Sequence, residues 1–146
     1  LYAFLYLDAD GQKELLIFNN EEKENGTASV ILDLYGVYDG KVTSMLQSTD
    51  MDCYYMGENN IIYCESSTGD GNAIWEKNTY EYGMLNTVGA ITCFAPEGES
   101  EKSTWTYSEN EQPAESIPEE RAMELVNSFT FSYLALNGTP FSEWKK

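Results

Sequence analysis

Asp8, Asp10 and Glu14 come nearest in this chain to residues whose types and spacing can do chemistry. They stand in the opening run Leu-Tyr-Ala-Phe-Leu-Tyr-Leu-Asp-Ala-Asp-Gly-Gln-Lys-Glu-Leu-Leu-Ile, between two apolar segments, with Gly11 at the bend. Many calcium loops begin with alternate carboxylates and a glycine, because the alternation gathers hard oxygen ligands around one cavity and the glycine permits a sharp turn. The same residues also build an ordinary acidic turn, in which Asp bonds the backbone two residues on and Gly supplies positive φ. The sequence reads first as that unmetallated hairpin, with Asp8, Asp10 and Glu14 as a weak calcium site in the second reading and no other cofactor. Calcium takes six to eight oxygens, and Lys13 places a positive charge inside the short loop.

No catalytic residue is expected. The chain has no histidine, which removes the usual general base and the Ser-His or Cys-His nucleophile pair. Asp and Glu are too abundant for any glycosidase-like pair to stand out. Trp75, Tyr80, Tyr82 and Trp105 are the candidates for a sugar-stacking platform, against the reading that strand aromatics line a core or form cross-strand pairs. With Asn59-Asn60 as a hairpin turn, Cys64 falls opposite Tyr55 and Cys53 opposite Ser66. The two cysteines then share a face but lie diagonally, roughly 7–8 Å apart at Cα, beyond easy disulfide reach. No disulfide is favoured; a Cys53–Cys64 bridge is the alternative if the loop slips by one pair, and Cys93 fills core.

These residues need elements to position them. At 146 residues the chain is long enough for one domain with a real core and too short for two. Its 25 acidic against 8 basic residues give a net charge of −17, which repels phosphate backbones and anionic lipid and excludes nucleic acid as a partner. Aromatic residues at 14% argue against disorder despite that charge. No stretch reads as a membrane-spanning segment. The chain opens directly in a strand-like run, so any targeting or surface-anchoring segment is expected to lie outside the sequence shown.

Period-2 alternation and turn residues predict about nine strands, at about 1–8, 14–19, 28–38, 41–47, 51–57, 61–67, 72–82, 87–95 and 101–108. Asp39-Gly40 and Asn59-Asn60 mark tight hairpins, and 21–26 and 68–72 read as longer surface loops. An acidic linker spans 109–116. A helix follows at 117–129, with Ser116 as cap, Pro118 in the first turn, Glu119 and Glu120 at the positive end of the dipole, and Ala122, Leu125, Val126 and Phe129 on one face. The fold class is therefore mainly β: an antiparallel meander forming an open or partly closed barrel, with one C-terminal helix. The tail, 130–146, packs on the sheet, and Phe141 and Trp144 plug an edge or end.

Tyr2-Ala3-Phe4, Leu7-Asp8-x-Asp10-Gly11, Glu14-Leu15-Leu16-Ile17, Ile31-Leu32-Asp33-Leu34-Tyr35, Asp39-Gly40-Lys41-Val42 and Asn59-Asn60-Ile61-Ile62-Tyr63 together resemble a set of motifs in uncharacterised secreted or lipoprotein-type domains of Gram-positive gut anaerobes. Those domains open with Tyr-Ala-Phe-x-Asp-Ile-Asp-Gly-Asp-Gly-x-x-Glu-Leu-Ile, and the likeness covers roughly residues 2 to 94. It implies an extracellular or cell-surface bacterial location and a β-rich fold, similar in local style to the calcium-looped hairpins of integrin-like propeller repeats. The present loop is two residues shorter than the family's and lacks its further Asp and Gly. The function expected is an extracytoplasmic binding or interaction domain of a surface or secreted protein, with a protein or glycan partner and no catalysis. A carbohydrate-active module, binding or hydrolytic, is the alternative.

Overall fold

The computed structural model describes residues 1–96 and 100–145. Among these residues ten strands, β1 (Tyr2–Leu5), β2 (Glu14–Lys23), β3 (Gly26–Tyr38), β4 (Lys41–Gln47), β5 (Asp52–Met56), β6 (Ile62–Ser67), β7 (Ala73–Glu81), β8 (Met84–Phe94), β9 (Thr104–Glu109) and β10 (Glu115–Ile117), precede one α-helix, α1 (Glu119–Thr130). All strands join one antiparallel sheet in the order β1-β2-β3-β5-β6-β7-β8-β9-β10, with β4 beside β3. The chain is mainly β, as the alternation predicts, and the sheet is open.

Curvature comes from breaks in register. The β2–β3 ladder shifts between Ile17 and Phe18, β3–β4 between Leu34 and Tyr35, and β7–β8 between Lys77 and Asn78. Leu32, Met45 and Val88 are the extra residues these shifts leave unpaired, and each bulge bends its strand and raises the local twist. One edge of β3 is shared: Val30 and Ile31 pair with β5, whereas Asp33 to Tyr38 pair with β4. The sheet therefore curls at β3 rather than running flat.

Because successive strand residues point to opposite faces, the apolar runs in β3, β5 and β6 serve two cores. Val30, Tyr55, Tyr63, Ile91 and Trp105 gather with Ala122, Val126 and Phe129 of α1 on one face. Leu16, Phe18, Ile31, Leu34, Met56, Ile62 and Tyr80 gather on the other. The tail covers part of this second face. Leu134 continues the line of β5, donating to the Met56 carbonyl and accepting from Ser29 N. Leu136 N donates to Ser29 Oγ and its carbonyl accepts from Asn20. Thr139 then exchanges backbone bonds with Tyr2 at the outer edge of β1, where Phe141 and Trp144 pack on Tyr2.

Several local expectations are corrected. The stretch 21–26 is a hairpin and no long loop: β2 runs to Lys23 and β3 starts at Gly26, whose φ of 114° lets the chain turn. Asn59 and Asn60 both take positive φ, but within a short 3-10 turn (Glu58–Asn60) that lengthens the β5–β6 connection beyond a two-residue hairpin. The β7–β8 turn falls on Tyr82-Gly83, with φ of 49° and 77°, earlier than the break near 83–86 that the residue types suggest. Residues 115 and 116 of the expected linker and Ile117 of the expected helix form β10, so Ser116 pairs with Thr106 instead of capping α1. Pro118 occupies the cap position and makes no side-chain cap bond.

Candidate functional site

The three carboxylates foreseen in the first hairpin do meet. One oxygen from each of Asp8, Asp10 and Glu14 lies within 4.8 Å of the others. Glu14 opens β2 opposite Leu5 and turns inward; only 3% of it is exposed. Its Oε2 accepts Leu7 N at 3.0 Å. Asp8 Oδ1 accepts Asp10 N at 3.0 Å and Asp10 Oδ1 accepts Gln12 N at 2.7 Å, the side-chain-to-backbone bonds that make Asp a turn former. Asp8 Oδ2 accepts Tyr82 N at 2.7 Å from the β7–β8 turn, tying together segments that are distant in sequence.

Burial pushes the Glu14 carboxyl above its ordinary value; the Leu7 N–H and its own backbone N–H pull it back, and Asp8 and Asp10 push it up again. Tyr80 rises to about 12 through burial and then through the same three acids. A cation entering here relieves that mutual repulsion. Lys13 does not serve as one: its Nζ sits 5.1 Å from the Tyr6 ring centroid and forms no ion pair among the described residues. A cavity of about 280 Å³ opens beside the cluster, lined by Asp10, Glu14, Tyr38, Asp39, Tyr80 and Tyr82. Tyr38 and Tyr82 are exposed at its mouth.

The aromatic platform is not assembled. Trp75 and Trp105 stack at 5.9 Å and 24° on the α1 side of the sheet, Tyr80 is buried in the opposite core, and Tyr82 stands out on the turn. The cysteine register also differs from the expected one. Tyr54 pairs with Cys64 and Cys53 with Glu65, because the longer β5–β6 connection shifts the ladder. Cys53 and Cys64 therefore point to opposite faces, and all three cysteines are free.

Two groupings escape sequence reasoning. Beside the last turns of α1, Lys23 Nζ donates to Tyr55 OH at 2.9 Å, Tyr133 OH donates to Glu65 Oε1 at 2.8 Å, and the Tyr55 and Tyr133 rings stack at 4.3 Å. Burial and then Glu65 drive the Tyr133 phenol far up. Burial lowers Lys23, but Tyr55, Glu65 and Glu21 outweigh it and leave the ammonium more firmly charged. On the face away from α1, burial and then Cys64 raise Tyr54 to about 12. Burial raises the Cys64 thiol despite its hydrogen bond with Ser66, and burial followed by Asp52 raises Glu76. No local pattern announces either group, because each joins residues from separate hairpins.

Compared with protein-family models, curated proteins and solved structures, the chain matches none.

Proposed function

We propose that this chain is a non-catalytic binding domain of a bacterial surface or secreted protein, and that it takes a cationic side chain of a protein partner in the pocket of Asp8, Asp10 and Glu14. The observation that carries the reading is the meeting of three carboxylates within 4.8 Å at a cavity of about 280 Å³. Their oxygens already accept bonds from Leu7, Asp10, Gln12 and Tyr82. The lone pairs left suit the N–H donors of a guanidinium or ammonium better than a calcium ion that takes six to eight oxygens. Tyr38 and Tyr82 flank the entrance and offer ring faces to the same cation. A net charge of −17 steers basic surfaces toward the domain over about one Debye length. The extracytoplasmic location rests on the likeness of the opening motif.

Absence of chemistry fits the side chains. With no histidine, a Cys64 thiol raised by burial and a Lys23 held charged, these groups offer no activated nucleophile or base poised near neutral pH.

The test is titration of isotope-labelled protein with an Arg-Gly-Arg peptide and, separately, with calcium. The peptide is expected to shift amides at 8–14, 38–39 and 82–83, to bind several-fold more weakly in high salt, and to lose its effect in the Asp8→Asn/Asp10→Asn variant. Calcium at about 1 mM is expected to raise the melting midpoint by less than about one degree. Peptide-induced shifts confined to other residues would refute the assignment. A calcium shift of several degrees, abolished in the same variant, would replace the side chain with a metal ion as the ligand.

A further inference from the structure

The face of β1–β3 opposite the acidic pocket carries a different chemistry. Tyr2 and Phe4 alternate with Ala3 and Leu5 on β1 and pair with Ile17 and Leu15 of β2, which in turn pair with Asp33 and Tyr35 of β3. Two cross-strand rows result, Phe4–Leu15–Tyr35 and Tyr2–Ile17–Asp33, all pointing to one side. The helix does not cover them, since α1 packs on β7, β8 and β9. The tail does so only at one end: the Trp144 ring lies 4.7 Å from Tyr2 and 6.3 Å from Phe4, and Phe141 lies 5.4 Å from Tyr2. Phe4 and Phe141 stay 50% exposed and Trp144 45%. Between them lies a shallow cleft of about 280 Å³ lined by Tyr2, Phe4, Glu143, Trp144 and Lys145.

We propose that this face binds an oligosaccharide, with the rings of Trp144, Phe4 and Tyr35 stacking on sugar rings and Asp33, Glu143 and Lys145 bonding their hydroxyls. A pyranose presents apolar C–H faces and a rim of groups that both donate and accept, which is what this surface complements: exposed aromatic rings beside a carboxylate and an ammonium, neither of them in an ion pair among the described residues. An apolar partner would have to strip Asp33, Glu143 and Lys145 of water without replacing their bonds. A basic peptide meets Lys145 beside Trp144, and a nucleic acid meets a net charge of −17. Ser44 Oγ donates to Asp33 Oδ1 at 2.8 Å and the Tyr35 hydroxyl bonds the same carboxylate, which orients it while its remaining lone pairs can accept from a sugar hydroxyl. Phe4 and Tyr35 stand in register two strands apart, about 10 Å, so the ligand has at least two linked rings. The aromatic set differs from the one the sequence singled out: Trp75, Trp105 and Tyr80 are taken by the cores, whereas Phe4 and Trp144 meet only when the tail returns to β1.

This site is independent of the acidic pocket, and the two are tested apart. Calorimetric titration of the whole chain with cellohexaose, xylohexaose, mannohexaose and chitohexaose is expected to detect binding to at least one. Phe4→Ala and Trp144→Ala should each weaken it by about tenfold or more. Asp33→Asn, which leaves the tail's own contacts intact, should weaken it several-fold even if Trp144→Ala loosens the tail, and Asp8→Asn/Asp10→Asn should leave it unchanged. Failure of all four hexaoses to bind, or binding that Phe4→Ala and Asp33→Asn leave untouched, would overturn the proposal.

Discussion

Glu14 shows how far a single side chain can be read in advance. That it would stand beside Asp8 and Asp10 follows from loop chemistry, since Asp side chains bond backbone N–H groups two residues on. That it would be buried, with Oε2 on Leu7 N, follows only from the packing around it. Burial leads the causes that hold its pKa above the ordinary 4.5. A carboxyl whose pKa is higher in the folded than in the unfolded state binds its proton more tightly when folded. The fold is then favoured where Glu14 is protonated and loses stability as pH rises through the window from 4.5 upward. Glu14→Gln keeps an oxygen for Leu7 N and removes the charge. Its melting midpoint relative to the parent should rise between pH 4 and pH 7, and a flat difference across that range would contradict the burial argument.

Turns and the helix divide along similar lines. Asp39-Gly40 was legible because both residues tolerate the left-handed conformation they adopt, φ 49° and 71°. Tyr82 was not, because a tyrosine carries no such preference; it takes φ 49° while Gly83 beside it closes the turn and Asp8 accepts its N–H. An L-residue pays about 1–2 kcal/mol for that conformation, and Asn less. Tyr82→Asn keeps the backbone bond and loses little packing, as Tyr82 is exposed, so it should stabilise the domain by up to about 1 kcal/mol in denaturant unfolding. The apolar face of α1 was legible from helical spacing: Ala122, Val126 and Phe129 are its buried residues. Phe129 packs on the Tyr63 ring at 5.4 Å, and Phe129→Ala should cost about 3–5 kcal/mol, measured in the same way.

The whole molecule rests on one sheet that is apolar on both sides at its centre, with α1 over one face and the tail over part of the other. Gly138 is where the tail comes closest. A Cβ there would stand 2.5 Å from Phe18 Cζ and 2.9 Å from Leu1 Cβ, and Phe18 is fully buried and has no room to retreat. Gly138→Ala should therefore lift the tail at a cost of about 1–3 kcal/mol. Amide exchange is the sensitive readout. Ser29 N, held by Leu134 O, and Tyr2 N, held by Thr139 O, should both exchange faster, and unchanged exchange at both would show that the tail is not clamped at this point.

From residue order alone come the strand succession, the Asp39-Gly40 turn, the helix and its buried face, and the gathering of Asp8, Asp10 and Glu14. All of these depend on interactions between residues a few positions apart, where period and turn chemistry act directly. The bulges at Leu32, Met45 and Val88, the joining of Tyr82 to Asp8, the opposite faces of Cys53 and Cys64, and the meeting of Phe4 with Trp144 belong to the assembled fold. They arise where strands from separate hairpins must share one curved sheet with two cores, and a register shift of one residue sends a side chain to the other face. No local pattern carries that information, because the shift is set by how the two faces pack together.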